Sequence, residues 1–392
     1  MNVFNSIGSN YDLRFAWKAL VVGSNPGYSE QLKKYLENRY GGEVVLTYKG
    51  REALELAMKN LSLPPGSKVG INGFTCYAVY KAVVNAGYKP IYLDINDRNL
   101  NFSPSTLISD IRCLILQNTL GYPCNMTEIE KFCKERNIPL IEDLAHSVGT
   151  KYQDEREAGN VGDFVMLSFG KSKIIDGVSG GALITRNKNY QDRNVRLEKV
   201  GIGQQLMDRV YPIFTYFIRA TYKIGIGKLI HAVLRESGAL PTPMGKDTGE
   251  LHSLPHWYSK LAHEAFLRLE SDLKHRKEIS KIYASNINPE ILSDTARRYI
   301  EHSTNVRFPI FIKNRDSLIN YLKKYGAYVS GIWYDAPIAP PSHMSLTDYQ
   351  IGTCPESEKI SSQILNLPTH QNVSAKDAEE IAIKINQWIK LQ

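Results

Sequence analysis

From Ile141 to Thr185 the chain reads IEDLAHSVGT KYQDEREAGN VGDFVMLSFG KSKIIDGVSG GALIT, and this stretch decides the fold. Ile138-Pro139-Leu140-Ile141 is a short apolar run that ends in the acidic pair Glu142-Asp143. A second apolar run, Phe164-Val165-Met166-Leu167, ends in Ser168-Phe169-Gly170, and Lys173 follows. The glycine pair Gly180-Gly181 then opens a third β-type run, Ala182 to Thr185. Short apolar runs bounded by turn residues read as buried strands. Strands that end in a carboxylate and in a hydroxyl, with a lysine close behind, bring three side chains to one edge of a sheet. In open α/β sheets that carboxyl edge is where ligands bind.

A cofactor carrying a phosphate, an aldehyde and a ring nitrogen would use all three groups. Lysine forms a Schiff base with an aldehyde, and an aspartate pairs with a pyridinium nitrogen, so the chemistry expected is that of pyridoxal 5′-phosphate. Lys173 must present an unprotonated amine, which desolvation or a nearby positive charge would favour. Asp143 would keep the ring nitrogen protonated, and Ser168 would donate to the phosphate. Each also has a plainer reading: a surface charge, a strand-end carboxylate capping a turn, a structural hydroxyl.

The totals bound the rest. At 392 residues the chain is long enough for two domains and a large core. Its 43% hydrophobic and 22% charged content is that of an ordinary globular protein. A formal net charge of +8 favours anionic ligands or surfaces, but no Lys/Arg tract resembles a nucleic-acid-binding tail. Five cysteines without a C-x-x-C pair fit free thiols in a reducing compartment and no metal site. The first residues lack the layout of a signal peptide, so a cytoplasmic location is expected.

Before the central stretch, the pattern predicts a helix over Ser29–Tyr40 with Ser29 as its N-cap, a strand at Val44–Thr47, and a helix starting at Gly50-Arg51. A helix start exposes unpaired amides and is a ready anion site. Strands at Lys68–Asn72, Pro90–Asp94 and Cys113–Gln117 alternate with helices at Thr75–Ala86 and Glu128–Arg136, which argues for a parallel, doubly wound sheet. After it, Tyr211–Ile218 reads YPIFTYFI, and Arg219, Lys223 and Lys228 interrupt the apolar pattern that follows. Those charges, with Gly225 and Gly227, argue against a spanning helix. Two readings stay open for 209–235: short amphipathic segments on an anionic membrane surface, or a packed insertion that covers the core or builds a dimer interface. Ser237–Leu254 reads as a loop, Ser259 to about Arg276 as a long helix, and the remainder as a small α/β domain.

Taken together, Glu142-Asp143-Leu144-Ala145-His146, Gly162-Asp163, Ser168-Phe169 with Lys173, and Gly180-Gly181 resemble the pattern E-D-x-A-[QH], G-D, S-F-x-x-x-K, G-G of the DegT/StrS-type sugar aminotransferase family. The resemblance covers most of the chain and weakens between about Gly201 and Tyr258. It implies the aspartate aminotransferase fold type I, with a large cofactor-binding domain over 1–250, an insertion around 201–250, and a smaller α/β domain over 251–392. Lys173 and Asp143 would be catalytic. His146, Ser168, Gly50, Arg51, Cys76, Tyr77 and Asn118 would line the cofactor, and Lys171 has no role in the pattern.

Several positions depart from the family. Gly50-Arg51 stands where Gly-Thr is common, and Cys76 where an aromatic often covers the ring, with Tyr77 as the neighbour that could replace it. Asn118 matches a segment near the cofactor, although a turn-forming role fits it equally. Pro255-His256-Trp257 replaces an Asn-Tyr-Arg motif that reaches the neighbouring subunit's cofactor. The implied reaction is a two-step Schiff-base transamination in a homodimer, from glutamate to a keto-sugar carried on a nucleotide, or linked to lipid. Family dehydratases carry histidine in place of Lys173. A non-catalytic regulator that keeps the fold, and a membrane-associated binding protein, are the alternatives of other classes.

Overall fold

The computed structural model of the chain describes residues 1–96, 100–108, 110–190, 196–236, 250–331 and 333–392, with Arg235 described by its backbone alone. At its centre lies a sheet of seven strands: β1 (Glu43–Thr47), β2 (Lys68–Asn72), β3 (Lys89–Leu93), β4 (Cys113–Gln117), β5 (Leu140–Asp143), β6 (Phe164–Ser168) and β7 (Gly181–Thr185). Their order across the sheet is β1-β7-β6-β5-β4-β2-β3. Strands β2 to β6 are parallel, and β7 runs antiparallel to both β1 and β6. This is the mostly parallel α/β sheet that the strand pattern predicts. Strands β4, β5 and β7 are buried along their whole length, which explains their unbroken apolar runs.

The helices include α1 (Leu13–Val21), α2 (Pro26–Tyr40), α3 (Gly50–Asn60), α4 (Tyr77–Asn85), α5 (Met126–Arg136), α6 (Ile202–Ala220), α7 (Ile226–Glu236), α8 (His256–Leu267), α9 (Leu269–Asn286) and α10 (Ala375–Ile389). Helix α3 packs on β6 and β7, and α2 on α8. Toward the C-terminus, β8 (Arg307–Phe311) pairs antiparallel with β9 (Ile364–Pro368), and α9 packs on α10. A capping box of Ser374 and Asp377 starts α10.

The chain steps from β2 outward to β3 and then returns past β2 to β4. At such a reversal the connections leave in opposite directions and open a crevice at the carboxyl ends. The register aligns those ends: Gln117 lies opposite Asp143, and Ser168 and Thr47 both lie opposite Gly181.

Four local expectations change. The N-terminal region contains α1, a helix not anticipated there. Helix α2 begins three residues before Ser29, with Asn25 as its N-cap. Ser29 instead sits buried inside it, hydrogen-bonded to His256 Nδ1 at 2.8 Å and Ser259 Oγ at 3.0 Å. The helix expected at Thr75 begins at Tyr77, because Thr75 and Cys76 pair as a short parallel bridge with Ile338 and Ala339. The long helix after Ser259 is two helices, α8 and α9, divided at Arg268. The loop expected over Ser237–Leu254 lies mostly outside the described residues.

One carboxylate holds the edge together. Glu142 is fully buried and accepts from Tyr152 Oη at 2.8 Å and the backbone N–H groups of Gly159, Val161 and Gly162 at 2.7, 2.8 and 2.6 Å. Arg186 Nη2 adds an ion pair at 3.4 Å. Glu142→Ala would leave these donors buried without an acceptor, so a loss of about 3–5 kcal/mol is expected in urea unfolding. A loss below about 1 kcal/mol would show that these donors find other partners.

Candidate active site

Side chains alternate faces along a strand, so Glu142 and its neighbour Asp143 point to opposite sides of the sheet. Asp143 is 3% exposed, and its Oδ1 accepts from the Ala145 N–H at 2.9 Å. Burial pushes its carboxyl up to about 6, against the pull of that N–H and of the Lys173 charge. The turn that Asp143 starts carries His146 into the crevice.

His146 Nε2 lies 3.0 Å from Lys173 Nζ, and Nδ1 lies 3.3 Å from Tyr334 Oη. The ring stacks on Trp333 with centroids 4.7 Å apart and planes 2° from parallel. Thr304 Oγ1 donates to the His146 carbonyl at 2.7 Å and fixes the turn from behind. Burial, then the charges of Lys173 and Arg307, hold the imidazole well below its ordinary value, so it is neutral. Burial likewise lowers the Lys173 ammonium, partly offset by Cys76 and Asp143. The result is an amine that gives up its proton more readily than a surface lysine, as a nucleophile requires.

A second corner lies at the start of α3. Lys49 occupies the N-cap position and makes no side-chain cap, so the first amides of the helix are open to an anion. A Cβ on Gly50 would lie 2.7 Å from Ser168 Cβ, and one on Gly181 only 2.6 Å from Gly50 Cα. The backbones therefore meet with no room for side chains, and Ser168 sits against the helix start. Lys49 Nζ donates to Ser179 Oγ at 2.9 Å and lies 4.0 Å from the centre of the Tyr48 ring. Burial brings its ammonium down to about 8, and the charges of Lys171 and Arg51 push the same way, opposed by Asp208. Lys171 Nζ in turn pairs with the buried Asp208 Oδ1 at 3.2 Å. Three cations around an uncapped helix start fit a phosphate.

The sequence candidates thus separate. Lys173, Asp143, His146 and Cys76 are drawn together, since Cys76 and Asp143 both act on the Lys173 charge. Ser168, Gly50 and Arg51 belong to the helix-start corner. Tyr77 stacks on Tyr80 and meets the tilted ring of His343, at 5.7 and 5.0 Å between centroids, in a cluster of its own. Asn118 spends its amide on Tyr152 Oη at 3.2 Å and on the Cys124 N–H at 3.0 Å, a turn-forming role. Trp333, Tyr334 and Arg307 were not singled out from the sequence. Lys173 Nζ and the Arg307 guanidinium each lie 4.9 Å from the Trp333 ring centre. Arg307 is 1% exposed, and its Nε has no partner among the described residues. All three come from a distant part of the chain with no motif to flag them. Lys49 and Lys171 each carried a cue, one flanking Gly50 and the other lying two residues before Lys173.

Asp143 holds its proton more tightly folded than unfolded. Its favourable contribution to stability is therefore complete below the ordinary value of 3.8 and is lost as pH rises through about 6. Asp143→Asn, neutral throughout, should stabilise the cofactor-free protein above that range by about 3 kcal/mol, with the difference vanishing below about pH 4. Urea melts at the two ends of the range measure it, and equal gaps at both would contradict a desolvated carboxylate.

Comparison with known proteins shows the family. The model of the DegT/DnrJ/EryC1/StrS aminotransferase family matches residues 24–386. A dTDP-4-amino-4,6-dideoxy-D-glucose transaminase of Shigella dysenteriae is 23% identical over 96% of this chain and 94% of its own. A pleiotropic regulatory protein of Geobacillus stearothermophilus is 21% identical over 87% of this chain and 83% of its own. The crystal structure of a DegT DnrJ EryC1 StrS aminotransferase from Brucella abortus superposes with a TM-score of 0.70 at 19% identity, covering 96% of this chain and 95% of that one. With the family match spanning nearly the whole sequence, the chain belongs to the DegT/DnrJ/EryC1/StrS aminotransferase family.

Proposed function

We propose that the chain transfers an amino group from glutamate to a keto-sugar carried on a nucleotide, with pyridoxal 5′-phosphate as cofactor and a homodimer as the working unit. The observation that carries this reading is the Lys173 amine, lowered in proton affinity, 3.0 Å from a neutral His146 and close to the buried Asp143. Asp143 would face the ring nitrogen and Lys173 the aldehyde, while the α3 start, Ser168, Arg51 and Lys49 would hold the phosphate. When bound, the cofactor supplies a carrier for the amino group and an acceptor for the electron pair left at the substrate carbon.

The remaining work falls to the protein. Lys173, its proton affinity lowered by burial, would carry a proton between the substrate carbon and the carbon of the cofactor's aldehyde. His146 orients that amine, and the Trp333–His146 stack shields it from water. Arg307, a buried guanidinium beside the same tryptophan, suits the carboxylate of an amino-acid donor. A nucleotide-sugar substrate is supported by the names of the transaminase relatives, and the division between a large and a small domain would fall near residue 250.

One observation favours a second reading, a regulatory homologue without turnover. Trp257, in the segment that replaces Asn-Tyr-Arg, is 1% exposed and stacked on Tyr258 at 3.6 Å between ring centroids, so it is committed to the fold.

The visible spectrum of the purified protein separates the two. A yellow band that borohydride fixes to the chain, absent in Lys173→Ala, is expected, followed by glutamate-dependent amination of keto-sugar nucleotides. A protein that stays colourless with added pyridoxal phosphate overturns the proposal in favour of the regulator. Gly50→Ala should weaken cofactor retention at least about tenfold, because its Cβ would displace Ser168. Equilibrium dialysis measures this, and unchanged retention would place the phosphate elsewhere.

A further inference from the structure

Helix α6 buries charged groups and exposes apolar ones. Its inward face carries Asp208 and Thr215 beside Pro212 and Ile218: Asp208 is buried and accepts from Tyr48 Oη at 2.5 Å and Tyr258 Oη at 2.8 Å, besides pairing with Lys171. Arg209 turns inward to the carbonyls of Ala19 at 3.2 Å and Val22 at 2.7 Å, and Arg219 to those of Ser9 and Tyr11. Its outward face is apolar, with Phe214 50% and Phe217 52% exposed. Surface helices of globular proteins normally show the reverse.

The helices on either side also expose apolar side chains. Helix α7 exposes Leu229 at 68% and Val233 at 56%, and α1 exposes Leu13 at 50% and Trp17 at 61%. Helix α1 packs on α6 and α6 on α7, so the three stripes lie on neighbouring helices. An apolar face built from three neighbouring helices marks an interaction surface.

Charge selects the occupant. Between residues 202 and 235 the sequence has a single carboxylate, Asp208, and that one is buried. Lys223 and Lys228 between and on the helices, and Arg14 on α1, are exposed around the apolar stripes. On the three helices and their caps, the solvent-facing carboxylates among the described residues are Asp12, which caps α1, and Glu236 at the end of α7. Two copies joined symmetrically through this face would bring the same basic rim against itself, since an isologous contact pairs each patch with its own copy. A negatively charged bilayer matches both features: headgroups meet the lysines, and the acyl boundary takes the aromatic and aliphatic side chains. No described helix is long and apolar enough to cross a membrane, so the contact lies in the plane of the interface.

We propose that α1, α6 and α7 form a docking face for an anionic lipid bilayer. The proposal stands independently of the reaction at Lys173. Its test is flotation of the full chain with phosphatidylcholine vesicles, with and without phosphatidylglycerol, alongside light scattering. The protein is expected to float with the anionic vesicles and not with the neutral ones, and to be released by high salt. Phe214→Ser/Phe217→Ser/Leu229→Ser should lower partitioning roughly 100-fold while leaving mass and melting temperature unchanged. Lys223→Glu/Lys228→Glu should reduce it with the apolar stripes intact. Failure to float with anionic vesicles overturns the proposal, as does flotation that the serine variant leaves unaltered. A serine variant that falls from an assembly to single chains overturns it too, because the face would then belong to a second copy.

Discussion

Four hydrogen-bond donors and an arginine converge on the carboxylate of Glu142, and the carboxyl edge of the sheet inherits its shape from that convergence. The contacts tie the end of β5 to the turn at residues 159–162, which leads directly into β6. Because adjacent residues on a strand face opposite ways, anchoring Glu142 on one side presents Asp143 on the other. The adjacent acids divide the work: Glu142 is fully satisfied by the fold, while Asp143 is left short of partners at the mouth of the crevice. Burial of a carboxylate without full compensation is costly, and the cost is tolerated where the group has a use.

The same logic runs through the crevice. Burial raises Asp143, lowers Lys173 and strips His146 of its charge, so three groups that water would keep ionised or half-ionised are moved toward neutrality together. At the start of α3 burial also lowers Lys49, yet the corner keeps its positive charge. Lys49, Arg51 and Lys171 crowd positive charge into one corner, with Asp208 as the internal counter-ion; Lys171 and Lys49 outweigh the burial that would otherwise raise its carboxyl. A half moved toward neutrality and a half rich in cations suit a ligand with a reactive ring at one end and a phosphate at the other.

Much of this was legible in the sequence because it is local. The strands at Lys68–Asn72 and Cys113–Gln117 have the bounds that their apolar runs predict, and Asp143, Ser168 and Lys173 follow strand ends as their spacing implies. What sequence alone left hidden is contact across long separations. Trp333, Tyr334 and Arg307 reach His146 and Lys173 from the far part of the chain, and no periodicity announces them. The start of α4 shifted because residues 338–339 pair with Thr75 and Cys76, a partnership remote in sequence. Tyr77 beside Cys76 suggested an aromatic over the ring, yet its ring joins Tyr80 and His343 instead. The apolar, basic stretch after Tyr211 was visible, but only the inward turn of Asp208, Arg209 and Arg219 shows which side of α6 faces out.

The contact between Gly50 and Gly181 has a consequence for how such a site can change. Where two main chains touch, the floor of a pocket is made of atoms common to every residue, and its contour does not depend on the neighbouring side chains. Arg51, Lys49 and Ser168 sit on the rim of that floor. Exchanging a hydroxyl for a guanidinium at position 51 therefore alters the field over the floor without altering its outline. Shape and charge are separable here, and a lineage could retune one while the other stays constant.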